Sequence, residues 1–305
     1  MTYSILNLIE IMNSEFHLLL NTILSRIPVL VVGEDIELVD DLTESLSSLC
    51  SHRHKLVFWR DFTTENDIVS VLEEEKHNYE VNRTVVCCLS SNLRLALERI
   101  NTFSSWVISV PLGSKSLGME INSETLSSIT EKVAESGNCG ILRIMSPSDF
   151  SFSLISSIAR SLDVEKNIVS KILERKNQSL ERIRRLLRKS LRDIENSEHI
   201  TKVVLNLDDE AEKLTRDVFV EEINNYVHAA RRAVTLLSRI RLARELGTST
   251  SLTERNLFET IGWKGGTVSD LIQFIRAEWH EDFSDCVKNG TLSGLGAWVD
   301  SMWGT

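Results

Sequence analysis

Residues 28–41 read PVLVVGEDIELVDD, an apolar run of strand length followed by leucine and valine at helical spacing. The same alternation continues through the first half of the chain, where each further apolar run is bounded by turn residues and followed by a helical pattern. The later runs are KLVFW (Lys55–Trp59), RTVVCCL (Arg83–Leu89), SWVISVPL (Ser105–Leu112) and GILRIM (Gly140–Met145). This order predicts an α/β fold with a mostly parallel five-stranded sheet and helices on both of its faces.

The connection after the first predicted strand lacks the residues that hold nucleotide phosphates. A phosphate-binding loop has the form GxxxxGK[ST], in which backbone N–H groups surround the phosphates and the lysine reaches their outer oxygens. Here Gly33 is followed directly by Glu34 and Asp35, and the second glycine, the lysine and the hydroxyl are all missing. We therefore interpret Gly33, Glu34 and Asp35 as a degenerate nucleotide site. We predict no catalytic residues, no cofactor and no metal there.

The acidic stretch from Glu34 to Asp41 leaves three further interpretations open. Its carboxylates suit the positive end of the helix that begins there, so they can form a solvated first turn. They can also bind a divalent cation, and an enzyme that uses these carboxylates is a third, minor hypothesis. The third predicted strand runs into Leu89 and Ser90, and it lacks the acidic residues that normally end a magnesium-coordinating strand.

Charge is divided unevenly along the chain. Residues 1–150 hold 11 Lys/Arg against 21 Asp/Glu, a net of −10, whereas residues 151–305 hold 23 of each. Residues 166–192 contain ten basic and two acidic side chains. One helix predicted in this stretch has a basic face that consists of Arg182, Arg185, Arg188, Lys189 and Arg192. This basic face could bind a nucleic-acid backbone, dock on the acidic first half, or remain solvated.

Pro147 is the last proline in the sequence, and the hydrophobic pattern after it is helical. This pattern predicts an all-α C-terminal region. We predict an α/β domain without a phosphate loop over residues 1–162, a helical lid over residues 163–198, and a C-terminal helical domain over residues 199–305.

Membrane and secretion signals are missing from the sequence. The longest apolar stretch near the N-terminus is interrupted by Arg26 and Pro28, and no basic leader precedes it. The five cysteines have no CxxC spacing, which favours reduced, structural thiols. These features predict a cytoplasmic protein that does not contact the membrane.

The stretch that begins at Gly140 resembles a known family. It reads GILRIMSPSDFSFSLISSIARSLDV and continues, from residue 167, as NIVSKILERKNQSLERIRRLL. This is similar to the passage from the last core strand into the lid of AAA+ ATPases, particularly of the clamp-loader branch. There, an SP-x-D/E-F turn leads into a helix of the form LxxIAxxxxV, and a later helix carries a nucleotide-sensing arginine. Arg182 matches that arginine, with Ser179 and Leu180 before it.

The resemblance implies a degenerate member of the family, because both nucleotide motifs are missing. Such a member would be a non-catalytic scaffold subunit that acts within a hetero-oligomeric complex or on another protein partner. Clamp-loader membership would associate it with DNA replication, and nucleic acid could then bind through the basic face.

A receiver-like domain is the alternative. Five βα units, the acids Glu34 and Asp35 after the first strand, and SPSDF after the fifth are similar to response-regulator receivers. The places of the phosphoacceptor aspartate and the lysine hold Leu89 or Ser90 and Ser146, so this would be a phosphorylation-dead signalling module with a helical output domain. Strand order distinguishes the two folds, because a receiver sheet runs 2-1-3-4-5 and an AAA+ core runs 5-1-4-3-2.

Overall fold

The computed structural model describes residues 5–61, 64–77, 83–113, 121–134, 137–156, 161–190, 197–248 and 251–288. The chain divides into two compact units, Met1–Asn224 and Asn225–Thr305. The sequence predicted three domains, with limits after residues 162 and 198. These limits stay a prediction, because a division into two units does not test them. The two units are described separately.

Unit 1 alternates strands and helices before it ends in two long helices. Its elements are α1 (Ile5–Met12), α2 (Ser14–Leu24), β1 (Val29–Gly33), α3 (Ile36–Ser47), β2 (His54–Val57), α4 (Glu65–His77), β3 (Thr84–Cys88), α5 (Leu93–Glu98), β4 (Trp106–Pro111), α6 (Ser123–Ala134), β5 (Cys139–Ser146), β6 (Asp149–Ile155), α7 (Asp163–Ser190) and α8 (Ser197–Glu245). Helix α8 continues past Asn224 into unit 2.

The sheet has six strands in the order β2-β3-β4-β1-β5-β6. Strands β1 to β5 are parallel to one another, and they follow the order 5-1-4-3-2 that was expected for an AAA+ core. Strand β1 lies between β4 and β5, whereas in a receiver sheet it would lie between β2 and β3. The α/β class and the mostly parallel sheet are confirmed, but the predicted strand count of five is wrong because β6 pairs antiparallel with β5.

The added strand lies where the family resemblance predicted a turn leading into a helix. Residues 149–155 read DFSFSLI, with Phe150 and Phe152 buried and Ser151 and Ser153 exposed. This alternation has the period of two that is typical of a strand with one buried face. The passage to α7 therefore contains a β-hairpin, and the helix predicted to follow the SP-x-D/E-F turn does not begin there.

Helices cover both faces of the sheet, as predicted. On one face, side chains of α4, α5 and α6 pack with alternate residues of the strands in a single apolar core around Trp106. On the other face, the Ser109 hydroxyl of β4 donates a 2.9 Å hydrogen bond to the Thr43 hydroxyl of α3. Gly140 of β5 lies so close to Thr22 of α2 that an added Cβ would be 3.0 Å from its methyl carbon.

The core holds the aromatic side chains and the thiols. Trp106 makes edge contacts with Phe58 and Phe103 at centroid distances of 5.4 and 5.8 Å. None of the five cysteines forms a disulfide, and all five are buried, four of them in unit 1 and Cys286 in unit 2. Burial raises the pKa of the Cys139 thiol to about 12 and also raises that of Cys88. These thiols are therefore protonated structural groups at neutral pH.

An acidic side chain contacts the outer edge of the sheet at β6. The carboxylate of Glu15, in α2, accepts a 2.7 Å hydrogen bond from the backbone N–H of Phe152. The first turn of α2 is thereby fixed to the edge strand.

Unit 2 is mainly helical. It contains the C-terminal part of α8, α9 (Glu254–Ile261), α10 (Val268–Trp279) and two short strands, β7 (Leu252–Thr253) and β8 (Val287–Lys288). Tyr226 packs against Trp263 and Phe274 at centroid distances of 5.1 and 4.7 Å, and these rings form its core. The prediction of an all-α region missed the parallel pairing of β7 with β8. No helix among the described residues is long and apolar enough to cross a membrane.

Candidate functional site

The connection between β1 and α3 is only two residues long, Glu34 and Asp35. Asp35 caps α3, because its carboxylate accepts hydrogen bonds from the backbone N–H groups of Glu37 at 3.0 Å and Leu38 at 3.2 Å. In a phosphate-binding loop, N–H groups at this helix end face the phosphates. Here, a side chain of the protein already occupies two of them with a negative charge.

Gly33 has a packing role at the end of β1. A Cβ at this position would lie 3.0 Å from the Cγ2 of Val39 and 3.1 Å from the Cβ of Ile144. The glycine thus lets α3 and β5 approach β1 closely. Its carbonyl also accepts a 2.7 Å hydrogen bond from the N–H of Leu112, just beyond β4.

The end of β3 is joined to α3 by a second carboxylate. Asp40 accepts hydrogen bonds from the backbone N–H of Ser90 at 2.9 Å and from its hydroxyl at 2.8 Å. Ser90 is buried and occupies the place where a magnesium-coordinating acid was expected. Among the residues that the structure describes, no three His, Cys, Asp or Glu side chains are grouped so that they could hold a metal ion.

The acids of the β1–α3 region thus have different environments. Asp35 and Asp40 hydrogen-bond within the protein, and Glu34 and Glu37 are exposed. Of the interpretations drawn from the sequence, this arrangement is most similar to an acidic, solvated first turn of α3. The assignment of Gly33, Glu34 and Asp35 as a degenerate nucleotide site stays a prediction.

The first half of α7 forms ion pairs with neighbouring helices. Glu222 of α8, whose side chain is 3% exposed, binds Lys171 at 2.9 Å and Arg175 at 3.2 Å. Arg175 also contacts the exposed Glu221 at 2.8 Å. Lys176 pairs with Glu10 of α1. In the described part of the chain, these basic residues therefore bind acids of α1 and α8.

The predicted basic face belongs to the second half of α7. Arg185 is exposed. The backbone of Arg182, Arg188 and Lys189 lies within α7, but their side chains are outside the described residues, as is Arg192 altogether. The sensing role of Arg182 and the binding role of the basic face both stay predictions.

Sequence reasoning missed Asp40, Ser90 and Glu222 as organising residues. Ser90 could have been noticed as a polar residue at the carboxyl end of a buried strand. Its partner Asp40 is 50 positions away, and Glu222 is 51 positions from Lys171. A single sequence carries no signal for contacts of this separation.

Comparison with known proteins gives no relative for this chain. No protein-family model, curated protein or solved structure matches it.

Proposed function

We propose that this protein is a non-catalytic, AAA+-like scaffold subunit of the clamp-loader type, which acts through protein–protein contacts. The observation that carries the proposal is the capped helix end at Asp35, on a sheet whose parallel strands follow the order 5-1-4-3-2. This order brings the end of β1 beside β4 and β5, which is where an AAA+ nucleotide site would be built. The residues at that place bind one another, which supports a scaffold that has lost hydrolysis.

The receiver-like alternative has less support. It requires β1 between β2 and β3, and β1 instead pairs with β4 and β5. The proposed role includes a cytoplasmic location and a place in a hetero-oligomeric complex, with DNA as an additional ligand of the basic face. The exposed side chain of Arg185 supports that last step, because phosphate contacts need accessible cations.

Nucleotide binding tests the non-catalytic part of the proposal. Titration calorimetry of the full chain with ATP and Mg²⁺ is expected to give no heat of binding at millimolar nucleotide. Micromolar, magnesium-dependent affinity would overturn the lost nucleotide site.

Assembly state tests the scaffold part. The tagged chain, expressed at its native level and purified from its source cells, is expected in a stable complex with a stoichiometric second protein, well above its own 34.6 kDa. Recovery of the chain alone, at native level and physiological salt, would contradict the scaffold role.

DNA binding is tested separately on the basic face. An Arg185→Glu variant is expected to weaken binding of a fluorescent duplex and to reduce the dependence of that binding on salt by about one phosphate contact. Equal affinities of both proteins would remove Arg185 from the DNA-binding part of the proposal.

A further inference from the structure

The chain leaves β2 through a turn that is closed by its own hydrogen bonds. The carboxylate of Asp61 accepts a 2.7 Å hydrogen bond from the backbone N–H of Val57. The carbonyl of Val57 accepts from the N–H groups of Arg60 at 3.1 Å and Asp61 at 3.0 Å. Residues 57–61 therefore have a fixed backbone.

This turn presents a tryptophan in a conformation that L-residues rarely adopt. Trp59 has φ +65°, in the left-handed region, which favours glycine and asparagine. Its side chain is 47% exposed, and its ring is inclined at 47° to that of Phe58, with centroids 6.0 Å apart. The backbone conformation and the exposure of a large apolar ring are both unfavourable in the isolated chain, and burial of the ring by a partner would offset them.

The same turn excludes one common mode of binding. β2 is an edge strand, and its residues His54 and Phe58 direct their N–H groups to β3. The N–H of Val57 therefore points outward, where a partner strand would bind, but Asp61 already occupies it. The end of β2 at Val57 is therefore closed to strand addition, so a partner at the turn would contact side chains, of which Trp59 is the largest exposed one.

Charge around the turn specifies the partner. Residues 57–67 hold three Asp/Glu against one Lys/Arg, a net of −2, and they belong to the half of the chain that carries a net of −10. Asp61 and Asp67 are exposed beside the turn and in the first turn of α4. A nucleic-acid backbone would be repelled here, whereas a protein surface with basic residues would be attracted.

We propose that Trp59 is a docking anchor for a protein partner that has an apolar pocket rimmed by Lys or Arg. Tryptophan is enriched among the few residues that dominate binding free energy, because one rigid side chain buries a large apolar area. The proposal rests on the proposed scaffold function for the existence of a partner, and it adds the contact point and the chemistry of the pocket.

The test uses the complex that is purified with the tagged full chain from its source cells. Mass photometry of the diluted complex measures the fraction of chains that stay bound to the partner. Trp59→Gly removes the ring and fits the left-handed backbone, so we expect an unchanged melting temperature and a complex weakened by at least about tenfold. Trp59→Phe retains an apolar ring and should remain within about threefold of the wild type. Leu246→Ala removes a side chain that is 78% exposed in unit 2, and it is the matched control that should have no effect.

The exposed neighbour Arg60 tests the charge of the pocket. Arg60→Glu makes the turn more acidic, so a basic rim predicts equal or tighter binding. Weaker binding of this variant, or binding of duplex DNA that is lost in Trp59→Gly, would overturn the assigned partner chemistry. An intact complex with Trp59→Gly would overturn the anchor alone, while the absence of any complex with the wild type would contradict the proposed function itself.

Discussion

Asp40 and Ser90 form a two-point contact in which one carboxylate accepts both the backbone N–H and the hydroxyl of the same serine, at 2.9 and 2.8 Å. The contact joins the middle of α3 to the carboxyl end of β3. The carboxylate and the serine thus fix a helix to the sheet.

Removal of the serine hydroxyl should destabilise the protein measurably. In Ser90→Ala, the partly buried carboxylate of Asp40 loses a charge-assisted hydrogen bond, so we expect the free energy of unfolding in urea to fall by about 1–3 kcal/mol. Ser70→Ala is the control, because the Ser70 hydroxyl donates to the carbonyl of Asn66 on the exposed surface of α4, and its change should stay within about 0.5 kcal/mol. Equal effects of the two variants would contradict a structural role for Asp40.

Two neighbouring acids in the β1–α3 connection should respond differently to truncation. Asp35→Ala removes the cap of α3 and should lower the free energy of unfolding by about 1 kcal/mol. Glu34→Ala removes an exposed carboxylate and should change it by less than about 0.5 kcal/mol. Urea denaturation of the full chain compares them, and a larger loss for Glu34→Ala would show that the two roles are assigned the wrong way round.

Glu222 and Glu221 give a second matched pair, because both bind Arg175 and only Glu222 is buried. Glu222→Gln should cost about 1–3 kcal/mol of stability, less than the loss of a fully buried ion pair, because Lys171 and Arg175 are each 41% exposed and regain water. Glu221→Gln should cost less than about 1 kcal/mol. The two losses of stability are compared through the urea midpoints of the variants. Similar midpoints would contradict the role of Glu222 in joining α7 to α8.

Acid should weaken unit 2 through Asp282. Desolvation of this carboxyl group would raise its pKa, but hydrogen bonds from Ser284 and the charge of Arg276 outweigh that effect, so its folded-state pKa is lowered. The carboxylate therefore contributes stability above its unfolded pKa of about 3.9, and this contribution is lost as the pH falls through the lower, folded-state value. Protection of the α10 amides from hydrogen exchange should decline below about pH 4 in the wild type and change less in Asp282→Asn. Parallel profiles would exclude Asp282 as the cause.

The sequence was sufficient for the five parallel strands because each is a compact apolar run between turn residues. It was not sufficient for β6, because two of its seven residues are serine and its sequence resembled a motif that leads into a helix. The run predicted as a strand to Trp59 ends at Val57 instead, because Asp61 closes a turn on that residue. In DFSFSLI, the alternation of polar and apolar residues indicates the strand, whereas the similarity to a family motif indicated a turn and a helix.

Part of the candidate site could likewise be predicted from the sequence, and part could not. The missing phosphate loop and the acids at the start of α3 were readable in the sequence, since both concern neighbouring residues. The bond from Asp40 to Ser90 and the ion pairs of Glu222 depend on how distant segments pack, and composition gives no access to them.

The bond between Glu15 and Phe152 also bears on solubility. An outer strand with free amides is a template on which identical chains can stack, and β6 alternates serine with phenylalanine in a way that would favour such stacking. The carboxylate places a negative charge in the middle of that template. Replacement of Glu15 would therefore be expected to appear first as fibril growth at high concentration, before any loss of the fold.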